Sequence, residues 1–177
     1  MVTKRQAKVM IKNVIGRYEF ATKDSSLKQY RLSEQDLKTK FVVPLLQALN
    51  WNIYDVYEVR EQKNFFGLLP EYTLTDSHGK IILVEVKPDY ASIQLDNDLH
   101  KYLDNPNVRE EAKILWLTSF ENSRICALGK EKGIRKIDIS WEHYVPNFDE
   151  LWSYLSNSEE GHRKRIYEKA LAPRDRK

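Results

Sequence analysis

The spacing of apolar residues changes period along the chain, and each change marks an element. Over residues 3–22, Val9, Met10, Asn13, Val14, Arg17 and Tyr18 recur at rough 3.6-residue spacing with lysines among them, which predicts a helix. A second helical pattern follows a polar break at Asp24-Ser25-Ser26. Ser33 is a good N-cap, and Asp36 stands three residues on, where a capping-box acid belongs. Leu37, Phe41, Leu45, Leu46 and Leu49 then form one apolar stripe, with Pro44 inside it predicting a bend. Asn50-Trp51-Asn52 ends that helix.

The period then shortens. Residues 53–60 (IYDVYEVR) are β-branched and aromatic and predict a strand. Residues 63–70 contain Gly67 and Pro70 and predict a loop. Residues 71–76 and 80–87 predict two strands joined by Ser77-His78-Gly79, a three-residue hairpin loop with glycine at the left-handed position. A helix is expected over 93–104, stopped by Asn105-Pro106. Residues 113–118 (KILWLT) predict a buried strand, and 123–128 and 136–140 two further strands. Phe148, Leu151, Trp152 and Leu155 share one helical face, and a basic helix is expected over 159–171. This order predicts an α/β fold with a mixed central sheet flanked by helices.

The chain has 177 residues, which fits a single domain: a basic N-terminal helix (1–30), a core (31–157) and a basic C-terminal helix and tail (158–177). An apolar content of 41% supports a real core and excludes wholesale disorder. The absence of a long apolar run or a signal-peptide pattern predicts a cytoplasmic protein without a membrane partner. The single cysteine, Cys126, excludes an intrachain disulfide and a Cys-cluster zinc site. No G-x-x-x-x-G-K-[ST] sequence occurs, so no P-loop is expected. The net charge of +3 conceals a pattern: residues 1–30 carry +5, 31–158 carry −5 and 159–177 carry +3. Basic ends around an acidic centre suggest a polyanion partner, with acids inside to be neutralised.

The hairpin holds the candidate chemistry. If Asp76 faces Lys80 across the loop, opposed residue numbers sum to 156, and Glu71 faces Glu85. Alternation along the strand puts Lys87 on the same face. A two-residue His78-Gly79 turn would instead oppose Glu71 and Val86. Opposed carboxylates destabilise a hairpin, and a divalent cation between them removes that cost. Mg²⁺ takes oxygen ligands, commonly one or two carboxylates plus water and phosphate oxygens. Lys87 would stabilise negative charge developing at phosphorus. The apolar run Ile81–Val84 predicts a central strand, where Glu85 and Lys87 are costly without partners.

Pro70-Glu71, thirteen residues, then Glu85-Val86-Lys87 resembles the PD-(D/E)XK nuclease signature. The stretch from Ser33-Glu34 through Pro44-Leu45-Leu46-Gln47-Ala48-Leu49-Asn50-Trp51 is similar to the helix opening the nuclease domain of type I restriction endonuclease R subunits. Gly67-Leu68-Leu69-Pro70-Glu71-Tyr72, Leu83–Lys87 and Leu115–Ser119 resemble further segments of that domain, so the similarity spans roughly residues 31 to 155. The resemblance implies a restriction-endonuclease-like αβββαβ core and a Mg²⁺-dependent deoxyribonuclease, with Mn²⁺ substituting. Glu71, Glu85 and Lys87 would be catalytic, and Glu34, Glu71 and Glu85 would hold the metal. In related domains a Gln stands four residues before a Tyr on the following helix. Here Asp98 precedes Tyr102, and Gln94 is a substitute for that polar role.

Lys101, Arg163, Lys164 and Arg165 are candidate phosphate contacts, which position nucleic acid without reading sequence. The expected partner is DNA, with a homodimer or a place in a larger restriction assembly following from one site per chain. The family's first acid is usually Asp, and Glu71 departs from it. That departure motivates the alternative, a catalytically impaired nuclease-fold domain binding nucleic acid or a partner protein.

Overall fold

The structure, a computed structural model, describes residues 1–23, 32–88, 95–128 and 135–167. Helix α1 (Lys4–Lys23) lies over the helical segment that begins at Ser33. Its buried stripe is Ala7, Ile11, Val14 and Tyr18, while Val9 is exposed, so the face read from Val9 and Met10 is rotated from the one that packs. The second helical segment begins with the expected capping box. Ser33 Oγ accepts the Asp36 N–H, and the Asp36 carboxylate accepts the Ser33 N–H. A short α2 (Glu34–Leu37) leads into a π-helical turn (Lys38–Val42) and then α3 (Val43–Ala48). Pro44 lacks the N–H that a regular helix would donate to the carbonyl four residues back, and its ring would strike that carbonyl. The wider turn just before it, closed by Val43 N–H to Lys38 O, takes up the misfit.

Residues 53–58 form turns and not the expected strand, which is confined to β1 (Val59–Glu61). Short polar side chains intercept the backbone amides that a ladder would need. Asn52 Oδ1 accepts the Tyr54 N–H, Asp55 Oδ1 accepts the Tyr57 N–H, and Glu58 Oε2 accepts the Asn52 N–H. Strands β2 (Tyr72–Thr75) and β3 (Ile81–Val86) form the hairpin, with Tyr72 opposite Val84 and Thr75 opposite Ile81. The loop is the three-residue one: Asp76 N–H donates to Lys80 O, and Gly79 has φ +71°. Helices α4 (Leu95–Leu103) and α5 (Pro106–Glu111) cross to β4 (Ala112–Thr118), which runs parallel to β3. Asn105-Pro106 ends one helix and starts another, because Asn105 accepts the Asn107 and Val108 N–H groups as an N-cap. Strands β5 (Asn122–Ala127) and β6 (Arg135–Ser140) complete the sheet, and α6 (Phe148–Leu155) and α7 (Glu159–Tyr167) follow. The part of the C-terminal helix expected beyond residue 167 lies outside the described residues.

The sheet has six strands in the order β1-β2-β3-β4-β5-β6, antiparallel except for β3 and β4. The fold is thus α/β, with a mixed sheet flanked by helices. Strand alternation divides the core in two. Ile82, Val84, Val86 and Trp116 face the layer of α1, α3 and α6, with Ile11, Leu46 and Leu151. Leu83, Leu115, Leu117 and Cys126 face α4 and α5, with Leu99, Tyr102 and Val108. Strand β3 is therefore covered on both sides, as its apolar run predicts. No helix among the described residues is long and apolar enough to cross a membrane.

Candidate functional site

Extending the observed pairing of β2 and β3 by one step past Tyr72 and Val84 sets Glu71 opposite Glu85. Glu85 projects to the face that Leu83 shares with α4 and α5, where Tyr102 meets it. Lys87 lies two residues on, held by its N–H to Thr118 O, which carries the β3–β4 ladder one step further. Pro88 then removes the next donor and frees the chain from the sheet. The end of a buried strand thus delivers one acid and one lysine to a single place.

Each acid there has a cationic partner. Glu85 is 9% exposed, and its Oε1 lies 2.6 Å from Lys87 Nζ. Its Oε2 accepts the Tyr102 hydroxyl at 2.8 Å, so α4 holds the carboxylate from above the sheet. Glu71 Oε2 lies 2.7 Å from Lys38 Nζ, with the two side chains 13% and 15% exposed. Glu34 stands one helical turn before Lys38 and lies close enough to Glu71 for the two negative charges to repel. Burial pushes the Glu34 carboxyl above its ordinary value of 4.5, the negative charge and hydrogen bond of Glu71 add to the rise, and Lys87 and Lys38 oppose it. Glu34 therefore holds a proton more readily than an isolated acid would.

No family model, no curated protein and no solved structure matches this chain.

The contacts form two groups: Glu71 pairs with Lys38 near Glu34, and Glu85 pairs with Lys87 and Tyr102. The expected three-carboxylate metal cluster is not formed: among the described residues, no three His, Cys, Asp or Glu side chains are grouped to hold a metal ion. The reason is that Lys38 and Lys87 have taken Glu71 and Glu85 as partners. The narrower pair of Glu34 and Glu71 does suit Mg²⁺, which usually binds through one or two carboxylates and keeps several waters. A cation there would offset the repulsion that raises the Glu34 carboxyl.

The remaining candidates are placed differently. Gln94 lies outside the described residues. Lys101 is exposed on α4, one residue before Tyr102. Arg163 is exposed on α7, and Lys164 and Arg165 are described by their backbone alone. Helix α7 is anchored by His162, whose Nδ1 lies 3.4 Å from Asp76 Oδ2 and whose ring stacks on His78. That anchor is at the hairpin turn, five residues along β2 from Glu71, or about 16 Å. The structure therefore does not bring Arg163 to the carboxylates. The sequence reading missed Lys38, although its spacing of four from Glu34 puts both on one helical face. It named Tyr102 only as a landmark, whereas its hydroxyl binds Glu85 directly.

Proposed function

We propose that this chain is a divalent-metal-dependent deoxyribonuclease of PD-(D/E)XK type, hydrolysing DNA phosphodiester bonds in restriction or defence. The observation that carries the reading is the hairpin register, which aligns Glu71 with Glu85 and Lys87 at the end of a covered strand, with Glu34 alongside. Residues 34–118 run a bent helical segment, three strands, two short helices and a strand, which supports a restriction-endonuclease-like αβββαβ core with its second helix in two pieces, extended by β5 and β6.

When bound, Mg²⁺ would supply Lewis acidity toward the phosphate and lower the pKa of a bound water. Glu34 and Glu71 are the residues that would hold it, with Glu85 beside them. Lys87 offers a positive charge to the phosphoryl oxygens, and Glu85 fixes its position. Tyr102 in turn fixes Glu85. The surrounding core excludes water from one side of these contacts, so they act with little screening.

The test is cleavage of duplex and single-stranded DNA with Mg²⁺ or Mn²⁺ by the intact chain and by Lys87→Ala and Glu85→Gln. Both variants should lose cleavage while keeping the native circular dichroism. Undiminished cleavage by both would sink the mechanism.

A second reading has a specific observation in its favour. The Lys38–Glu71 ion pair balances charge without a metal, as a nuclease-fold domain that binds without cutting would need. Calorimetric titration with Mn²⁺ separates the two. DNA binding retained, without carboxylate-dependent metal binding, supports the non-cutting domain.

A further inference from the structure

The connection from β1 to β2 begins and ends at the candidate site, since Gln62 N–H donates to Glu71 O at 3.1 Å. Between these residues the chain makes a tight turn. Phe65 and Leu68 exchange backbone hydrogen bonds of 2.8 and 3.1 Å, leaving Phe66 and Gly67 at the tip. Both tip residues have positive φ, +55° for Phe66 and +86° for Gly67. Such turns favour Asn-Gly, and a bulky aromatic at the first tip position is an outlier held in place by its surroundings.

Those surroundings are visible. Asn64 Oδ1 accepts the Gly67 N–H, and Asn105, at the start of α5, donates its amide to Phe66 O at 3.1 Å. Phe65 is 6% exposed and belongs to the same core cluster as Tyr102, which binds Glu85. Phe66 meets Phe65 edge-on at 5.0 Å, yet remains 48% exposed. Leu69 next to it is 62% exposed, and Lys63 at the start of the loop is exposed as well. The core thus gains little from Phe66, although the backbone is strained to present it. Strain of this kind clusters at ligand-binding sites, and the inference from an outlier to function runs in that direction.

We infer that Phe66 is a stacking platform for an unpaired nucleobase, on the strand whose phosphodiester lies at Glu71, Glu85 and Lys87. The inference rests on the nuclease reading for its orientation and deepens it by naming the substrate as single-stranded or locally unpaired DNA. A base has an apolar π-face on a charged backbone. That matches an exposed ring with the exposed Lys63 three residues before it in the same loop. Glu71 is five residues on from Phe66, so their Cα atoms are at most about 18 Å apart. Paired bases in the interior of a duplex are stacked on both faces and offer no free face to it.

The experiment uses the full chain carrying Lys87→Ala, so that bound DNA stays intact, and compares Phe66 with Phe66→Tyr, Phe66→Ala and Phe66→Gly. Fluorescence anisotropy measures affinity for a single-stranded oligonucleotide and for a blunt duplex. An oligonucleotide containing 2-aminopurine reports stacking through quenching. Phe66→Ala and Phe66→Gly should weaken single-strand binding by about tenfold or more and remove the quenching. Phe66→Tyr should retain both, and duplex affinity should not change. Phe66→Gly also relieves the positive-φ strain, so it should melt no lower than its parent, which separates lost binding from lost folding. Unchanged single-strand affinity, or equal loss on the duplex, overturns the inference. So does a Phe66-dependent shift in size-exclusion mass with no DNA effect, which would make the loop a protein interface. Failure of the nuclease reading appears separately, as no cleavage by the chain with native Lys87 while Phe66-dependent stacking persists.

Discussion

Lys38 is the cation on which the acid pair depends, and replacing it with the uncharged, similarly long Met isolates its electrostatic role. In Lys38→Met, Glu71 loses a partner at 2.7 Å, and the carboxyls of Glu34 and Glu71 face each other with only Lys87 opposing. Removing one member of a fully buried pair costs about 3–5 kcal/mol, and an exposed pair is worth about 0–1 kcal/mol. With both side chains about one-seventh exposed, a loss of about 2–3 kcal/mol at pH 7.5 follows. Urea unfolding should give that difference at an unchanged slope, and the melting temperature should fall by about 4–12 °C. The loss should depend on pH. Glu34 has its folded-state value raised above 4.5, so it binds a proton more tightly in the folded chain than in the unfolded one. Its contribution is full below 4.5 and declines as pH rises through the raised value. Without Lys38 that decline steepens, so the gap between variant and parent should be wider at pH 7.5 than at pH 4.5. A variant as stable as the parent at pH 7.5, or a gap equal at both pH values, refutes the assignment of Lys38 to the acid pair.

Two smaller perturbations test the framework around the site. Ser33→Ala removes the acceptor for the Asp36 N–H at 3.1 Å and should cost about 1 kcal/mol in urea unfolding. Hydrogen bonds from Lys40 and Ser33 hold the Asp36 carboxyl down at about 2, so in the parent this contribution is present above 3.8 and is lost as pH falls through about 2. Tyr144→Phe deletes a buried hydroxyl that donates to Phe120 O at 3.0 Å and lies 2.6 Å from Ser123 Oγ. It should cost about 1–3 kcal/mol, read by urea unfolding, and leave DNA cleavage unchanged. Burial raises that hydroxyl to about 12, so the parent should show no tyrosinate absorbance from it below that region.

The hairpin was readable because a three-residue loop fixes the register, and the register fixes which side chains share a face. The same count that opposes Asp76 and Lys80 brings Glu71 to Glu85, with no tertiary information needed. Helix α6 was equally plain, since four large apolar residues repeat at helical spacing over the observed span Phe148–Leu155. Residues 53–60 misled because their composition favours a strand, while Asn52 and Asp55 bind the amides locally, which composition does not register. Asn105-Pro106 carries two signals at once, a helix stop and a helix start, and only packing on β4 shows that both are used. Lys38 was hidden for another reason. Its partner Glu71 is 33 residues away, and no periodicity reports a contact made between a helix and the start of a strand.

The turn at Lys38–Val42 joins two helical pieces with separate tasks. One buries Leu45 and Leu46, and the other aims Glu34 and Lys38 at Glu71. Rings closed five residues apart contain one residue more than those of an α-helix, so the turn stores a spare residue. Deleting Thr39 or Lys40, both exposed, would convert the segment to regular winding and keep the upstream acid and lysine on target only if Pro44, whose misfit the wide turn absorbs, were also replaced by Ala. Adding a residue there would swing them about 100° around the axis, away from the strand. With Pro44→Ala the segment is therefore tolerant of shortening and intolerant of lengthening, whereas with Pro44 in place it tolerates neither, a difference that a length-variant series in the two backgrounds would reveal.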